Sequence, residues 1–436
     1  MNFWKNKTIH VIGIKGTGLS GLAQLLQKEG AIISGDDSAE EFPSDIILKK
    51  AGIKVGLFDA GNINQEIDLV IYSSAYAPEH LERTKAQALE IPQLSYAKAL
   101  ARYGAGKKTI VITGTHGKTT TTAILGQIFE AAGLDPSVLV GDIVRAWGNS
   151  VRRGSGEYFI VEGDEYQEKF RLFKPAGIII PALDYDHVDY FKDEESYLAA
   201  FRDFVRDNAE AVLVTLPSIA SKLKASAIFA EEADEKIFKK STFGLPGAHY
   251  RSDCLLAIRL ARAFGLKEND IIKGINAFKG VTRRLDLFSR PGEATLIFYD
   301  YAHHPAEIKA TLEALRSRYP GKKMVAIFQP HTYSRTEAFL GEFAKSFPEA
   351  ELVFFEEIYA SARERKGKVG LEDLISETKK YHRRVYRFRD FTLASFLEFI
   401  LANVKDPLII FMGAGDIWQK ARELGQLFPG QKGGPD

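Results

Sequence analysis

The sequence predicts an α/β protein of three modules with largely parallel sheets, and three observations predict it. From residue 7 onward short β-branched strands alternate with helical segments, the pattern of strand–helix–strand units. Two of the strands run into glycine-rich turns of the kind that open phosphate-binding helices, Gly13 to Gly21 and Gly114 to Thr120. The alternation then restarts near residue 290. With 436 residues, 45% hydrophobic and 11% aromatic, the chain has material for two to four domains with cores of their own, and composition argues against disorder.

The first module runs from residue 1 to 105. Strand Thr8 to Ile12 leads into Gly13, Gly16, Gly18 and Gly21, and a second strand, Ala31 to Ser34, ends at Gly35-Asp36-Asp37. The run Gly16-Thr17-Gly18-Leu19-Ser20-Gly21 satisfies the dinucleotide fingerprint, with Asp36 twenty residues beyond its first glycine. That pattern suits a pyrophosphate at a helix N-terminus but does not separate NAD from a UDP-sugar, and the glycines could equally serve helix packing.

The second module, 106 to 289, follows the Gly104 to Lys108 linker. Strand Thr109 to Thr113 ends in Gly114-Thr115-His116-Gly117-Lys118-Thr119-Thr120, which gathers backbone N–H groups, a helix dipole, an ammonium and hydroxyls at one point. Ile112 stands where the general P-loop pattern has its first glycine, so this is a shortened variant of a nucleoside triphosphate loop. Further strands at Tyr158 to Val161 and Gly177 to Ile180 end near Glu162-Gly163-Asp164-Glu165 and Asp184-Tyr185-Asp186-His187-Val188-Asp189. Carboxylates and a histidine at such strand ends sit where α/β sheets bind ligands.

The third module, 290 to 436, again alternates, and its strands lead into Asp300 to Pro305, Gln329 to Thr336, Glu356 to Tyr359 and Gly413 to Asp416. The Gly/Pro/Lys-rich tail after Leu427 reads as frayed.

Charge and cysteine usage narrow the function classes. With 58 basic and 57 acidic residues the net charge is +1, which gives no global attraction to nucleic acid or anionic membrane. Cys254, the single cysteine, permits no intramolecular disulfide and reads as a core thiol, consistent with a reducing compartment. No apolar signal region or membrane-length apolar run is visible, so a cytoplasmic protein is expected. A triphosphate loop in the centre and a diphosphate site before it suggest that ATP activates a nucleotide-linked substrate, with Lys118, magnesium and nearby carboxylates aligning and neutralising the phosphates.

Taken together and in order, the glycine loop, Ser73-Ser74-Ala75, Gly114 to Thr122, Glu162 to Glu165, Asp186 to Asp189, Arg283-Arg284, Asp300 to Pro305, Phe328 to Thr336 and Gly413 to Ile417 resemble the Mur ligase family over nearly the whole chain. The resemblance implies a Rossmann-like N-terminal domain, a central P-loop ATPase-like domain and a Rossmann-like C-terminal domain. It also implies an ATP- and Mg2+-dependent ligase joining an amino acid, L-alanine in the members most similar, to the lactoyl carboxylate of UDP-N-acetylmuramate through an acyl phosphate. Position by position, Gly114, Thr115, His116, Gly117, Lys118, Thr119, Thr120, Arg284 and Asp300 would bind ATP, and Thr119, Glu162 and His187 would bind magnesium. Lys118, Glu162 and His187 would carry the catalysis. Gly16, Thr17, Gly18, Asp36, Ser73 and Ser74 would take the UDP substrate, and Tyr301, His303 and Arg335 the amino acid.

The chain departs from the family pattern at two places. Thr332 follows His331 where the alanine-adding members usually carry a second arginine, and His249-Tyr250-Arg251-Ser252-Asp253 replaces their His-Asn-x-x-Asn. Asp164-Glu165-Tyr166 is similar to the recycling ligases that attach a murein tripeptide, although those lack the Gln329 to Thr336 stretch. A catalytically inactive UDP-sugar scaffold and a nicotinamide dehydrogenase are the readings from other classes.

Overall fold

The computed structural model describes residues 2–289, 295–360 and 367–427; the expected start of the third module at Arg290 and the tail after Leu427 lie outside them. Three sheets form among the described residues. The first contains β1 (Thr8–Ile12), β2 (Ile32–Asp37), β3 (Lys54–Leu57), β4 (Leu69–Tyr72) and β5 (Gln93–Ser95), all parallel, in the order β3-β2-β1-β4-β5. Parallel strands need helical crossovers, and the intervening sequence supplies them, beginning with Thr17–Lys28 after β1.

The second sheet holds β6 (Lys108–Ile112), β7 (Ser137–Val144), β8 (Asn149–Arg152), β9 (Tyr158–Glu162), β10 (Gly177–Ile180) and β11 (Val212–Thr215), in the order β11-β10-β6-β9-β7-β8. Only the β7–β8 pair is antiparallel. Strand β6 is central and its residues Ile110, Val111 and Ile112 are fully buried, as expected of a near-continuous apolar run covered on both faces.

The third sheet comprises β12 (Asp286–Leu287), β13 (Leu296–Asp300), β14 (Lys323–Phe328), β15 (Ala350–Phe355), β16 (Val385–Arg387) and β17 (Pro407–Met412), ordered β12-β13-β17-β14-β15-β16. Its core is aromatic: Phe354, Phe388, Phe396 and Phe411 are buried together with aliphatic residues of β13, β14 and β17. At roughly 2 kcal/mol per buried large side chain, such a cluster holds the sheet firmly beneath the loops at its strand ends.

By packing, the described chain divides into two compact units. One consists of Met1–Asp184, Leu198–Phe243 and Asp253–Val281, and so carries the first two sheets. In it the helix Thr17–Lys28 packs on β7 and β8, and Asn149 Nδ2 donates to Gln24 Oε1 at 2.8 Å. The other unit takes Tyr185–Tyr197 and Gly244–Ser252 in addition to the chain from Thr282 onward. Cys254 is buried in the first unit, where burial pushes its thiol pKa up, as a core thiol requires.

Candidate active site

In the first unit the sharpest feature is the turn between β6 and the helix Lys118–Ala131. Gly114 (φ +119°) and Gly117 (φ +80°) hold it in a backbone region that side chains avoid. A Cβ at Gly114 would collide with the Ala182 carbonyl, and one at Gly117 with the Asp253 carboxylate. The loop is pinned to the exit of β10: Thr115 Oγ1 donates to the Asp184 carbonyl at 2.6 Å and Thr115 N–H to the Ala182 carbonyl at 3.0 Å. His116 Nε2 lies 3.7 Å from the Asp184 carboxylate, and Thr120 is buried in the first turn of the helix.

Lys118 opens that helix. Its ammonium donates to the Gly114 and Thr115 carbonyls and, at 3.0 Å, to Glu165. Burial disfavours its charge, but Glu165 beside it, with Glu162 and Asp164 further off, more than offsets this and raises its pKa above the ordinary lysine value. The Thr119 hydroxyl donates to Glu162 at 3.1 Å, and Glu162, at the end of β9, also accepts from Gly141 N–H. Lys118, Thr119 and Glu162 are therefore brought together at a helix N-terminus. The hydroxyl–carboxylate pair is the hard-oxygen donor set that suits magnesium.

In the first sheet β1 lies between β2 and β4, so chain order reverses at β1, and ligands of such sheets bind beyond the strand ends at that switch. The structure places Gly16 and Thr17, at the start of the first helix, and Ser73 with exposed Ser74, just after β4, on either side of it. A Cβ on Gly13 (φ +82°) would stand 3.2 Å from the Ser73 Cβ. Gly18 and Gly21 serve packing: their missing side chains make room for the Tyr96 hydroxyl and for Leu139. Asp36 is only 3% exposed and turns inward, 3.3 Å from His10 Nε2, while accepting from Asn62 Nδ2 at 2.7 Å. Fully buried Glu82 joins this cluster, and burial together with Asp36 drives its pKa up.

The remaining expected residues belong to the second unit. Asp300 ends β13 and is buried, accepting from Leu285 N–H (2.8 Å), Ala302 N–H (2.9 Å) and the Tyr250 hydroxyl (3.3 Å). Burial pushes its pKa up to about 6 against the pull of Arg284. Arg284 Nη1 lies 3.7 Å from Glu307, and the Arg283 guanidinium stands over the Tyr301 ring at 4.5 Å. His303 Nδ1 contacts the Tyr301 carbonyl at 3.0 Å and Glu307 at 3.3 Å; burial pushes its pKa down to about 3, so it is neutral at pH 7. Its ring is 6.2 Å from that of His331.

Arg335, on the short helix Tyr333–Ala338, makes a bidentate ion pair with Asp186. Nε donates to Asp186 Oδ1 at 3.0 Å and Nη2 to Oδ2 at 3.1 Å, with both residues more than nine-tenths buried. His187 follows at φ +55°, its N–H donating to Asp186 Oδ1 at 2.8 Å. Sequence reasoning gave no role to Asp186, to Glu165 as the partner of Lys118, or to Tyr250 as a partner of Asp300. The only signal for the first two was their position in acidic runs at strand ends.

Three α/β sheets, one of them ending in a glycine-cradled Lys-Thr loop backed by a carboxylate, define a nucleotide-using enzyme of the P-loop type. Sequence models identify it further: the catalytic-domain model of the Mur ligase family matches residues 8–108, the middle-domain model 112–259 and the glutamate ligase domain model 283–415. The chain belongs to the Mur ligase family and is an ATP-dependent ligase. It is 34% identical, over 95% of its length and 99% of the relative's, to a UDP-N-acetylmuramate–L-alanine ligase of Desulfitobacterium hafniense strain Y51. Among solved structures, a UDP-N-acetylmuramate–alanine ligase from Thermotoga maritima superposes with a TM-score of 0.76 at 24% identity, covering 96% of this chain and 98% of that one. A murein peptide ligase from Psychrobacter arcticus 273-4 gives 0.68 at 21% identity, with 96% and 98% covered. The expected three-part α/β architecture is thereby borne out.

Proposed function

We propose that the chain ligates L-alanine to the lactoyl carboxylate of UDP-N-acetylmuramate at the expense of ATP, a step in peptidoglycan precursor synthesis. The observation that carries the reading is Lys118 and Thr119 at the head of a helix, with Glu162 3.1 Å from the threonine hydroxyl. Relatives that carry the alanine ligase name, matched over nearly the whole chain, support the single amino acid over a murein tripeptide; the murein peptide ligase is matched at the level of fold.

A free carboxylate resists amine attack because oxide cannot leave. Transfer of the γ-phosphoryl group from ATP makes it an acyl phosphate and leaves ADP; the amine then adds to the carbonyl, loses a proton and displaces phosphate to give the amide. Lys118 would follow the β- and γ-phosphates as a mobile point charge, while the Gly114 to Thr120 backbone cradles them. Thr119 and Glu162 would hold magnesium, and His187 is assigned to the same ion on the family resemblance. Bound magnesium would neutralise phosphate charge. Arg284 and Asp300 are placed on the nucleotide side, and Tyr301, neutral His303 and Arg335 around the amino acid. Gly16, Thr17, Gly18, Asp36, Ser73 and Ser74 are assigned to the UDP substrate, Gly18 and Asp36 through the packing and inward contacts that shape the crevice.

The domain limits we propose are 1–105, 106–289 and 290–436, and the location is the cytoplasm, where ATP and nucleotide sugars meet. Among the described residues no helix is long and apolar enough to cross a membrane.

The test is phosphate release from Mg-ATP with UDP-N-acetylmuramate across single amino acids and the murein tripeptide. Release that depends on L-alanine is expected. Release with tripeptide alone would assign the chain to recycling, and none with any acceptor would leave a UDP-sugar scaffold.

A further inference from the structure

We propose that Asp186 is a substrate-recognition residue: with Arg335 it forms a ready-made ion pair that reads the two charges of a free α-amino acid, the carboxylate falling to Arg335 and the ammonium to Asp186. The inference rests on the ligase reading above and specifies how its acceptor is chosen.

Each member of the pair keeps hydrogen-bonding capacity beyond the contacts it already makes. Arg335 presents Nε and Nη2 to Asp186, and its Nη1 edge points toward His331 Nδ1, 3.3 Å away. A guanidinium has five N–H groups in a planar fork, so a carboxylate bound side-on leaves the end-on edge for a second one. Asp186 is likewise unevenly used. Oδ1 accepts from His187 N–H and from Arg335 Nε and Nη2, whereas Oδ2 accepts from Arg335 Nη2. A carboxylate oxygen has room for a further donor beyond that one.

Charge and spacing point the same way. The bidentate contact at 3.0–3.1 Å makes Asp186 the acidic half, and Arg335 the basic half, of a buried ion pair. The pair is thus net neutral, and a partner of one sign alone would leave one of its charges uncompensated. A zwitterion compensates both. In an α-amino acid the nitrogen and the nearer carboxylate oxygen are about 3 Å apart, joined through one Cα, and the Asp186 and Arg335 charges are 3.0–3.1 Å apart. A peptide, with its free amine and free carboxylate on different residues, cannot bridge them. The pair therefore selects free amino acids over peptides, and it offers a reason why one arginine suffices where Thr332 stands in place of a second.

The full chain with Mg-ATP and UDP-N-acetylmuramate tests this with L-alanine and L-alaninamide, which keeps the amine and lacks the carboxylate. If the wild-type chain turns over with no amino acid, the ligase reading itself fails. With an active wild type, Asp186→Asn is expected to raise the KM for both acceptors about tenfold or more with kcat within about threefold, as fits the loss of a charge-assisted contact. Arg335→Lys is expected to raise the KM for L-alanine and leave that for L-alaninamide within about twofold. An unchanged or lowered amino-acid KM in Asp186→Asn, or a fall in kcat alone, overturns the proposal. Calorimetric binding of UDP-N-acetylmuramate checks that the variant folds. Should it fail there, Asp186→Glu carries the test: the KM for both acceptors is expected to shift together, and no shift overturns the proposal.

Discussion

Lys118 and Arg335 are both cations that the proposed chemistry turns toward an anion, and the structure treats them differently. Lys118 is held by two carbonyls of its own loop and by Glu165, all grouped around one rotatable ammonium. Arg335 is locked in a planar bidentate pair, more than nine-tenths buried, with a residue 149 positions away in sequence. A flexible point charge can follow a phosphoryl group as it moves between oxygens. A fixed fork is suited to recognising a group that must arrive in one orientation. The two cations divide motion from recognition.

The largest expected effect breaks the first half of the contrast. Lys118→Ala should lower kcat for phosphate release by on the order of a thousandfold, because charge stabilisation of the transferring group is removed. Calorimetric affinity for UDP-N-acetylmuramate should stay within about twofold, since the first sheet's crevice does not involve the lysine. Near wild-type turnover would show that another cation does this work.

Arg335→Met addresses the second half. It leaves Asp186 a buried carboxylate without its counter-ion, a loss worth about 3–5 kcal/mol, and thermal or urea denaturation of the unit containing the third sheet should show it. Removing Glu165, the carboxylate beside Lys118, should cost far less stability because the loop carbonyls remain as partners. Equal losses would mean that the lysine is held as rigidly as the arginine.

A third buried acid sharpens the comparison through pH. Where Asp186 is kept ionised by its arginine, Glu82 is pushed the other way by burial and by Asp36. Its folded pKa exceeds its unfolded one, so between the two the folded state binds more protons, and stability falls as pH rises through that window. Glu82→Gln, which cannot ionise, should flatten the loss of stability between about pH 5 and pH 8 expected from the ordinary carboxylate range upward. A curve that keeps the wild-type slope would place the titration elsewhere.

Much of this fold is legible in the sequence because parallel, doubly covered strands announce themselves as apolar runs. Thr8–Ile12 and Gly177–Ile180 match their expectations to the residue, and β6 and β9 match within one residue at each end. The strands that escaped are β3, β4, β5, β7, β8, β12 and β16. Several are edge strands of two to four residues, and β7 carries polar Gly141 and Asp142 in its second half, so neither length nor apolar content separates them from loops. The phosphate loop was readable because its chemistry is local: glycines, lysine and threonine are consecutive. The Asp186–Arg335 and Tyr250–Asp300 contacts were not, since no periodicity relates residues that the fold brings together from distant segments. For the same reason the contact of Asp36, expected at the UDP substrate, with His10 was not visible in the sequence.

The second unit borrows Tyr185–Tyr197 and Gly244–Ser252 from within the stretch matched by the middle-domain model. A recombination that exchanged the segment beyond Thr282 between related genes would respect every recognisable sequence boundary. It would nevertheless separate Arg335 from Asp186 and Asp300 from Tyr250, so the heritable module and the folding module of this chain are not the same piece of protein. Chimeras that retain function should be those that inherit the two borrowed segments together with the C-terminal sheet.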